Sequence, residues 1–192
     1  NEQGIGATTG RVKTTMSSVF RYAVQRGIVE YNPAHDLKGA LTSPKTKHRP
    51  ALPLDRLPEL MAKTETYTGR SLTKLAVLLS LHTFVRSSEL RHARWDEINF
   101  ETAMWTIPGQ REEIAGVKFS ERGAKMGSGH AVPLSSQAID VLKSIKNISN
   151  EYTLIFPGDS NPYKPMSENT VNKALRTMGY DTQADICLHG FR

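Results

Sequence analysis

The segment that most constrains the fold is residues 72–84, LTKLAVLLSLHTF, in which apolar side chains occupy most positions. A helix that is apolar on most of its sides must be surrounded by other elements, so this segment predicts a helix in the core of a domain. It is also too short to cross a bilayer, which takes about 20 apolar residues. The single cysteine, Cys187, excludes an internal disulfide and a zinc site built from several thiolates.

The segments around this core helix predict a mainly α fold with one small antiparallel β-sheet. Apolar periodicity and capping residues predict further helices at 54–66, 87–93, 135–146 (capped by Ser135) and from Ser167 to Gly179. Alternating residues predict a hairpin at 97–100 and 104–108 and a third strand at 130–134. Residues 109–129, rich in glycine and charge, predict a long exposed loop between them.

The first 41 residues predict part of a separate helical domain. Thr8 or Thr9 can cap a helix whose apolar stripe ends before Gly27, a typical C-cap glycine. A turn at Asn32-Pro33 then precedes a short helix that extends to about Leu41. We therefore expect a partial helical domain at 1–41, a linker at 42–51 and a second domain at 52–192 that is incomplete at its C-terminus.

Positive charge is concentrated near the N-terminus. The net charge is +6, and residues 1–50 hold 8 Lys/Arg against 3 Asp/Glu, a net of +5. Such a distribution is typical of a surface that binds a polyanion, above all nucleic acid, although a solubilising surface has the same composition. In the proline-stiffened linker, either phosphate contacts or a solvated hinge would explain four residues: Lys45, Lys47, His48 and Arg49.

Three short stretches carry the residues best suited to chemistry. TFVRSSEL contains Arg86 and Glu89, and LHGFR contains His189 and Arg192. A spacing of three places each pair on the same side of a helical turn. The third stretch, KMGSGHAVPL, carries a lysine and a histidine on the segment that leads into the third strand.

Together these stretches resemble the tyrosine recombinases, especially the integrases of P4-like phages and genomic islands. The resemblance covers essentially all of 52–192 and includes ELRHARWDEI, WTIP, VPLS and KPMSENTVNKALRTMGY. Residues 1–41 are similar to the end of the core-binding domain of that family. The family's active-site positions match five residues: Arg86, Glu89, Lys125, His189 and Arg192.

The resemblance implies a role for each of these residues. Arg86 and Arg192 would hold the scissile phosphate, since a guanidinium group can donate two hydrogen bonds to one phosphate. Lys125 would protonate the departing 5′ oxygen, with Lys118 as a weaker alternative. His189 would manage the proton of the attacking tyrosine or stabilise the transition state, and Glu89 would orient Arg86 or His189. His130 could contact a phosphate or be structural, and the chemistry requires no metal or cofactor.

The family's nucleophilic tyrosine follows the His-x-x-Arg box. All six tyrosines of this chain precede His189, so we expect the chain to be a truncated recombinase that does not cleave DNA. A DNA-binding module without catalysis is the alternative. A metal-dependent nuclease is a third candidate, which the lack of histidine pairs or carboxylate clusters at ligand spacing disfavours.

The resemblance also implies the partners. We expect double-stranded DNA at attachment sites, a homotetramer on DNA for the full-length protein, and a monomer for this chain alone. We expect the protein to act at the nucleoid, in the bacterial cytoplasm.

Overall fold

A computed structural model describes residues 2–37, 48–124 and 127–192 of the chain. The chain divides into two compact units, Asn1–His48 and Arg49–Arg192. The first unit contains one long helix, and the second contains all the other regular elements of the described residues.

Helix α1 spans Glu2–Gln25, and the glycine that follows it caps it as expected. Gly27 has a left-handed backbone with φ of 68°, and the N–H of Ile28 donates to the Ala23 carbonyl at 2.9 Å. The predicted start at Thr8 or Thr9 is wrong, because both lie inside α1. A threonine hydroxyl inside a helix can bond to the carbonyl four residues back, as Thr14 does to Gly10 at 3.0 Å, so the residue type alone does not mark a helix start.

The short helix expected after Asn32-Pro33 is absent from residues 33–37, which form turns. The Asn32 side chain explains why, because its Oδ1 accepts the N–H of Ala34 at 3.0 Å. Its Nδ2 donates to the Ser17 carbonyl at 3.1 Å. These bonds hold the backbone in a turn that competes with a helix. The rest of that predicted helix, 38–41, lies outside the described residues.

The second unit is built around the predicted core helix. Its α-helices are α2 (Leu57–Glu65), α3 (Ser71–Thr83), α4 (Ser87–Arg91), α5 (Ser136–Ser149) and α6 (Thr170–Thr177). Short 3-10 helices occur at Leu54–Arg56, Trp95–Glu97 and Leu188–Phe191. Helix α3 packs against α2, α5 and α6, and Ala76, Val77 and Leu79 on it are completely buried. The prediction of a core helix is confirmed.

The sheet has three antiparallel strands in the order β1 (Ile98–Asn99), β2 (Met104–Ile107) and β3 (His130–Pro133). Ile98 pairs with Trp105, and Ile107 pairs with His130. The Trp105 side chain is completely buried against the helices. The predicted fold class, mainly helical with one small antiparallel sheet, is confirmed.

The two predicted helix caps in the second unit differ in outcome. Ser135 caps α5, since its Oγ accepts the N–H of Ala138 at 3.2 Å. Ser167 does not cap α6, which begins only at Thr170. The Ser167 hydroxyl accepts the N–H of Asn169 at 3.4 Å instead, and this bond favours a turn before the helix.

The prediction of an exposed loop at 109–129 is wrong for part of the segment. Arg111, Val117, Ser120 and Ala124 are all buried, and Gln110 forms an isolated β-bridge with Arg122. The segment 110–124 therefore folds into a small lobe beside the sheet.

A search for membrane spans among the described residues finds no helix that is both long and apolar enough.

Candidate active site

The C-terminal end of α3 directs the chain toward the candidate site. Phe84 adopts a left-handed backbone with φ of 52°, and its N–H donates to the Ser80 carbonyl at 3.0 Å. This conformation turns the chain sharply, so that Val85 is buried while Arg86, in an extended conformation, precedes α4. The first candidate residue is thus held between two helices.

Arg86 and Glu89 form an ion pair on one turn, as their spacing predicts. Nη1 of Arg86 donates to Oε1 of Glu89 at 2.8 Å, and the Arg86 backbone N–H donates to Oε2 at 2.8 Å. The Glu89 side chain is completely buried, whereas the Arg86 side chain is 31% exposed. Within the described parts of the chain, Nε and Nη2 of Arg86 donate to no protein acceptor. The carboxylate fixes one edge of the guanidinium and leaves the rest for a ligand.

The electrostatics keep Glu89 ionised. Burial alone would raise the pKa of this carboxyl, but hydrogen bonds from the Arg86 backbone and guanidinium oppose it. Electrostatic interactions with Arg86 and His130 act in the same direction, and the pKa of Glu89 falls below its ordinary value. The carboxylate is therefore charged at neutral pH and can hold Arg86 in place.

A pocket of about 330 Å³ brings three of the candidate residues together. The end of α3 and strand β3 form its walls, and Glu89, His130 and Arg192 line it. His130 and Arg192 are exposed. One arginine and one histidine therefore line the pocket beside the buried Glu89 carboxylate, and Arg86 is bound to the same carboxylate. Such a group of cationic donors is suited to an anion such as a phosphate.

His189 lies in the 3-10 helix Leu188–Phe191, which directly precedes Arg192. Its side chain does not line this pocket. The turn is anchored because Leu188 and Phe191 are buried, and the Leu188 N–H donates to Oδ1 of Asn172 at 2.9 Å. His189 itself is exposed. The structure therefore joins Glu89, His130 and Arg192 in one pocket and attaches Arg86 to it through Glu89, while His189 is near Arg192 in sequence and outside the pocket lining.

The remaining candidate residues fall into two groups, those outside the described residues and those that the structure describes. Lys125, Lys45 and Lys47 lie outside the described residues. Lys118 is exposed on the 110–124 lobe and does not line the pocket. His48 and Arg49 are also exposed.

A buried polar cluster beside the sheet was missed by the sequence analysis. Nη2 of Arg111 donates to Oε2 of Glu97 at 3.0 Å, and Nε1 of Trp105 donates to the same oxygen at 3.0 Å. Arg94 donates to the Ser120 carbonyl at 3.1 Å. Burial and the nearby arginines 91, 111 and 94 hold the pKa of His92 below its ordinary value, although its bond to Ser88 raises it. The cluster attaches the 110–124 lobe to the sheet, and no local sequence pattern marks it.

The described residues contain no group of three or more His, Cys, Asp or Glu side chains arranged to hold a metal ion.

Comparison with known families assigns the chain. Residues 51–192 match the phage integrase family, and residues 1–40 match the phage integrase central domain. The chain belongs to the phage integrase family of tyrosine recombinases. The predicted family is confirmed.

Two curated relatives show how much of a longer protein the chain resembles. The chain is 56% identical over 95% of its length to the protein IntB of Escherichia coli (strain K12), of which it covers 46%. It is 54% identical over 95% of its length to the integrase of Enterobacteria phage P4, of which it covers 42%. The chain thus spans less than half the length of each of these relatives.

A solved structure of a lambda integrase tetramer bound to a Holliday junction has the same fold. It superimposes with a TM-score of 0.67 at 20% identity, over 99% of this chain and 53% of that one. At this identity the similarity supports the fold alone.

Proposed function

We propose that this chain is part of a site-specific recombinase that integrates or excises mobile DNA through a 3′-phosphotyrosyl intermediate. The observation that carries the proposal is the pocket lined by Glu89, His130 and Arg192, together with the hydrogen bond by which the Glu89 carboxylate holds Arg86. Family membership and the identity to the integrase of phage P4 support it.

The two arginines would stabilise the reacting phosphate. Transesterification at a phosphodiester builds negative charge on the non-bridging oxygens, and guanidinium groups that are positioned in advance stabilise this charge. Glu89 contributes by fixing Nη1 of Arg86, which leaves the unpaired N–H groups to face a ligand. Arg192, exposed at the pocket wall, would supply the second clamp.

The proton transfers fall to other residues. We propose that Lys125 protonates the departing 5′ oxygen, with Lys118 as the weaker candidate. His189 would take the proton of the attacking hydroxyl or stabilise the transition state. His130, which faces Glu89 across the pocket, would bind a phosphate oxygen.

The nucleophile would come from a tyrosine that follows Arg192 in the encoded protein. The tyrosines of this chain all precede His189, so the 192-residue chain alone would bind DNA without cutting it. Determining the gene sequence downstream of the Arg192 codon tests this point. A tyrosine within a few dozen residues is expected, and a stop codon at that position would favour the alternative, a DNA-binding module without catalysis.

The N-terminal unit and the linker would hold the DNA. We propose that residues 1–41 are the end of a core-binding domain, followed by a basic linker at 42–51 and the catalytic domain at 52–192. In the linker, phosphate contacts would come from Lys45, Lys47, His48 and Arg49. We expect a tetramer for the full-length protein on DNA and a monomer for this chain, which we place at the bacterial nucleoid.

The decisive experiment uses the full-length gene product and a DNA duplex carrying its attachment site. Covalent protein–DNA complex is measured on denaturing gels, and DNA affinity is measured separately by fluorescence anisotropy. Arg86→Ala and Arg192→Ala should each slow formation of the covalent complex by roughly 10²–10³-fold, while most DNA binding is retained. Lys143→Ala, on the exposed face of α5, is the control and should behave as the unsubstituted protein does. Normal cleavage by either arginine variant would refute the proposal.

A further inference from the structure

The chain enters the second unit along the turn that precedes Arg192. We call residues 49–52 the entry segment, and the 3-10 helix Leu188–Phe191 together with Arg192 the arginine turn. The Pro50 carbonyl oxygen accepts the N–H of Cys187, the N-cap residue of this turn, at 3.3 Å. The Cys187 thiol also donates to that oxygen, at 3.8 Å. The entry segment is therefore bonded to the start of the arginine turn, although the two are far apart in the sequence.

Gly190 allows the closest approach between the entry segment and the arginine turn. A Cβ at this position would overlap the Pro50 carbonyl oxygen, and it would lie 2.9 Å from the Pro50 carbonyl carbon and 3.0 Å from Cα of Ala51. These are all backbone atoms, so no side chain could rotate away to make room. Carbon and oxygen atoms in contact lie about 3.3 Å apart, so relief of the overlap would separate the two segments by about 1 Å or more. The backbone of Gly190 is not left-handed, and glycine is therefore required here for space alone.

The arginine turn is short and internally bonded, so a displacement at its centre reaches its functional side chains. Gly190 directly follows His189 and lies two residues before Arg192. The Gly190 N–H donates to the Cys187 carbonyl at 2.8 Å, and the Arg192 N–H donates to the His189 carbonyl at 3.4 Å. A shift of Gly190 would therefore move the backbone of both neighbours, and Arg192 lines the candidate pocket.

We infer that Gly190 is a positioning residue: it admits the entry segment, which holds the arginine turn and so places Arg192 in the candidate pocket. The inference rests on the proposed function, because that function gives Arg192 and His189 their roles at the reacting phosphate. Guanidinium donors stabilise a transition state only when they are in place before the reaction, and a misplacement of about 1 Å can cost roughly a hundredfold in rate. The path of the entry segment would therefore influence the rate of cleavage, although none of its residues lines the pocket.

The test uses the full-length gene product and the attachment-site duplex. Formation of the covalent complex is followed in single turnovers at saturating DNA, and DNA affinity is measured by anisotropy. Gly190→Ala should slow formation of the complex by roughly 10- to 100-fold, because the added Cβ displaces the arginine turn. DNA affinity should stay nearly unchanged. A loss confined to the rate at saturating DNA separates a positioning role from a role in binding.

Two further variants separate positioning from folding. Ile145, completely buried on α5, lies in neither the entry segment nor the arginine turn, and Ile145→Val should lower the midpoint of thermal unfolding without slowing cleavage. Pro50→Gly removes the ring that fixes φ and gives the entry segment freedom to move aside. The double variant Pro50→Gly/Gly190→Ala should therefore recover most of the lost rate. Pro50→Gly alone should slow cleavage less than Gly190→Ala does.

A normal rate in Gly190→Ala would overturn the inference, because the entry segment would then move without the arginine turn. A loss that the double variant does not recover, or that Ile145→Val shares, would reduce the effect to a folding defect and overturn it as well. Loss of the folded state in Gly190→Ala, measured by circular dichroism, would make this glycine structural, with the same consequence. In each case a covalent complex formed by the unsubstituted protein would leave the proposed function standing. Failure of the unsubstituted protein to form that complex would refute the proposed function and the inference with it.

Discussion

Two arginine–glutamate pairs in the second unit use the same chemical groups for different purposes. The Arg111 and Glu97 side chains are 1% and 5% exposed, and all three guanidinium nitrogens of Arg111 donate to protein acceptors. In the other pair, the Glu89 side chain is completely buried and the Arg86 side chain is 31% exposed. Among the described residues, Nη1 is the one guanidinium nitrogen of Arg86 that has a protein partner. In the first pair, which we call the saturated pair, the protein occupies all the guanidinium nitrogens of the arginine. In the second, which we call the open pair, the protein binds one edge of the guanidinium.

The difference separates an arginine whose donors are all used by the protein from one that keeps donors for a ligand. A guanidinium whose donors are all satisfied gains nothing from a ligand and would lose bonds if it moved. One that is fixed along a single edge is oriented at little cost and keeps donors for a phosphate. The number of unpaired donors in a fixed position is therefore more informative about function than the presence of an ion pair.

Breaking the saturated pair should have the largest effect on stability. Glu97→Ala would leave the Arg111 charge buried without a carboxylate and Nε1 of Trp105 without a partner. We expect the free energy of unfolding to fall by about 3–5 kcal/mol, measured by urea denaturation. Glu101→Ala, at an exposed turn position, is the control and should change it by less than about 0.5 kcal/mol. Similar stability of the two variants would contradict a structural role for the pair.

Removing the arginine of the open pair should cost less. In Arg86→Ala the backbone N–H of residue 86 still donates to Glu89, so the buried carboxylate keeps one partner. We expect a loss of about 1–2 kcal/mol in the same denaturation experiment. Arg86→Lys keeps the charge and should lose less still. A loss as large as that of Glu97→Ala would mean that Arg86 is mainly structural and would remove the contrast.

The smallest expected effect is on how the free energy of unfolding changes at acid pH. The pKa of Glu89 in the folded chain lies below its ordinary value of 4.5, so the unfolded chain binds this proton more readily. The stability that Glu89 contributes is present above about pH 4.5 and decreases as the pH falls toward the folded pKa. The midpoint urea concentration of unfolding should therefore decrease between pH 5 and pH 3, and it should decrease less in Glu89→Gln than in the unsubstituted chain. Parallel pH profiles would count against an ionised Glu89 as the partner of Arg86.

The parts of the fold that local pattern determines were predictable. The apolar run of α3, the Ser135 cap of α5 and the alternation of the hairpin residues all mark elements that form as expected. The spacing of Arg86 and Glu89 likewise predicted their contact, because residues three apart on a helical turn are neighbours.

What the sequence could not give depends on contacts between distant residues. Glu97 and Arg111 are separated by a strand, and each alone has the pattern of a solvated surface residue. The helix starts at Thr8 or Thr9 and at Ser167 failed for a local reason, since a hydroxyl can bond equally well within a helix or a turn.

The two ends of the 110–124 lobe lie in close backbone contact, and this affects how many residues the lobe can contain. A Cβ at Gly123 would overlap the Pro108 carbonyl oxygen, and the Ala124 N–H donates to that oxygen at 2.8 Å. The two ends of the segment are therefore joined by their own backbone, whatever lies between them. Because the entropy of closing a loop rises by only about 0.6 kcal/mol for each doubling of its length, extra residues at the exposed Ala115 and Gly116 would add little to the cost of folding. We therefore expect the segment to accept an insertion at these exposed positions without a change in the strands on either side.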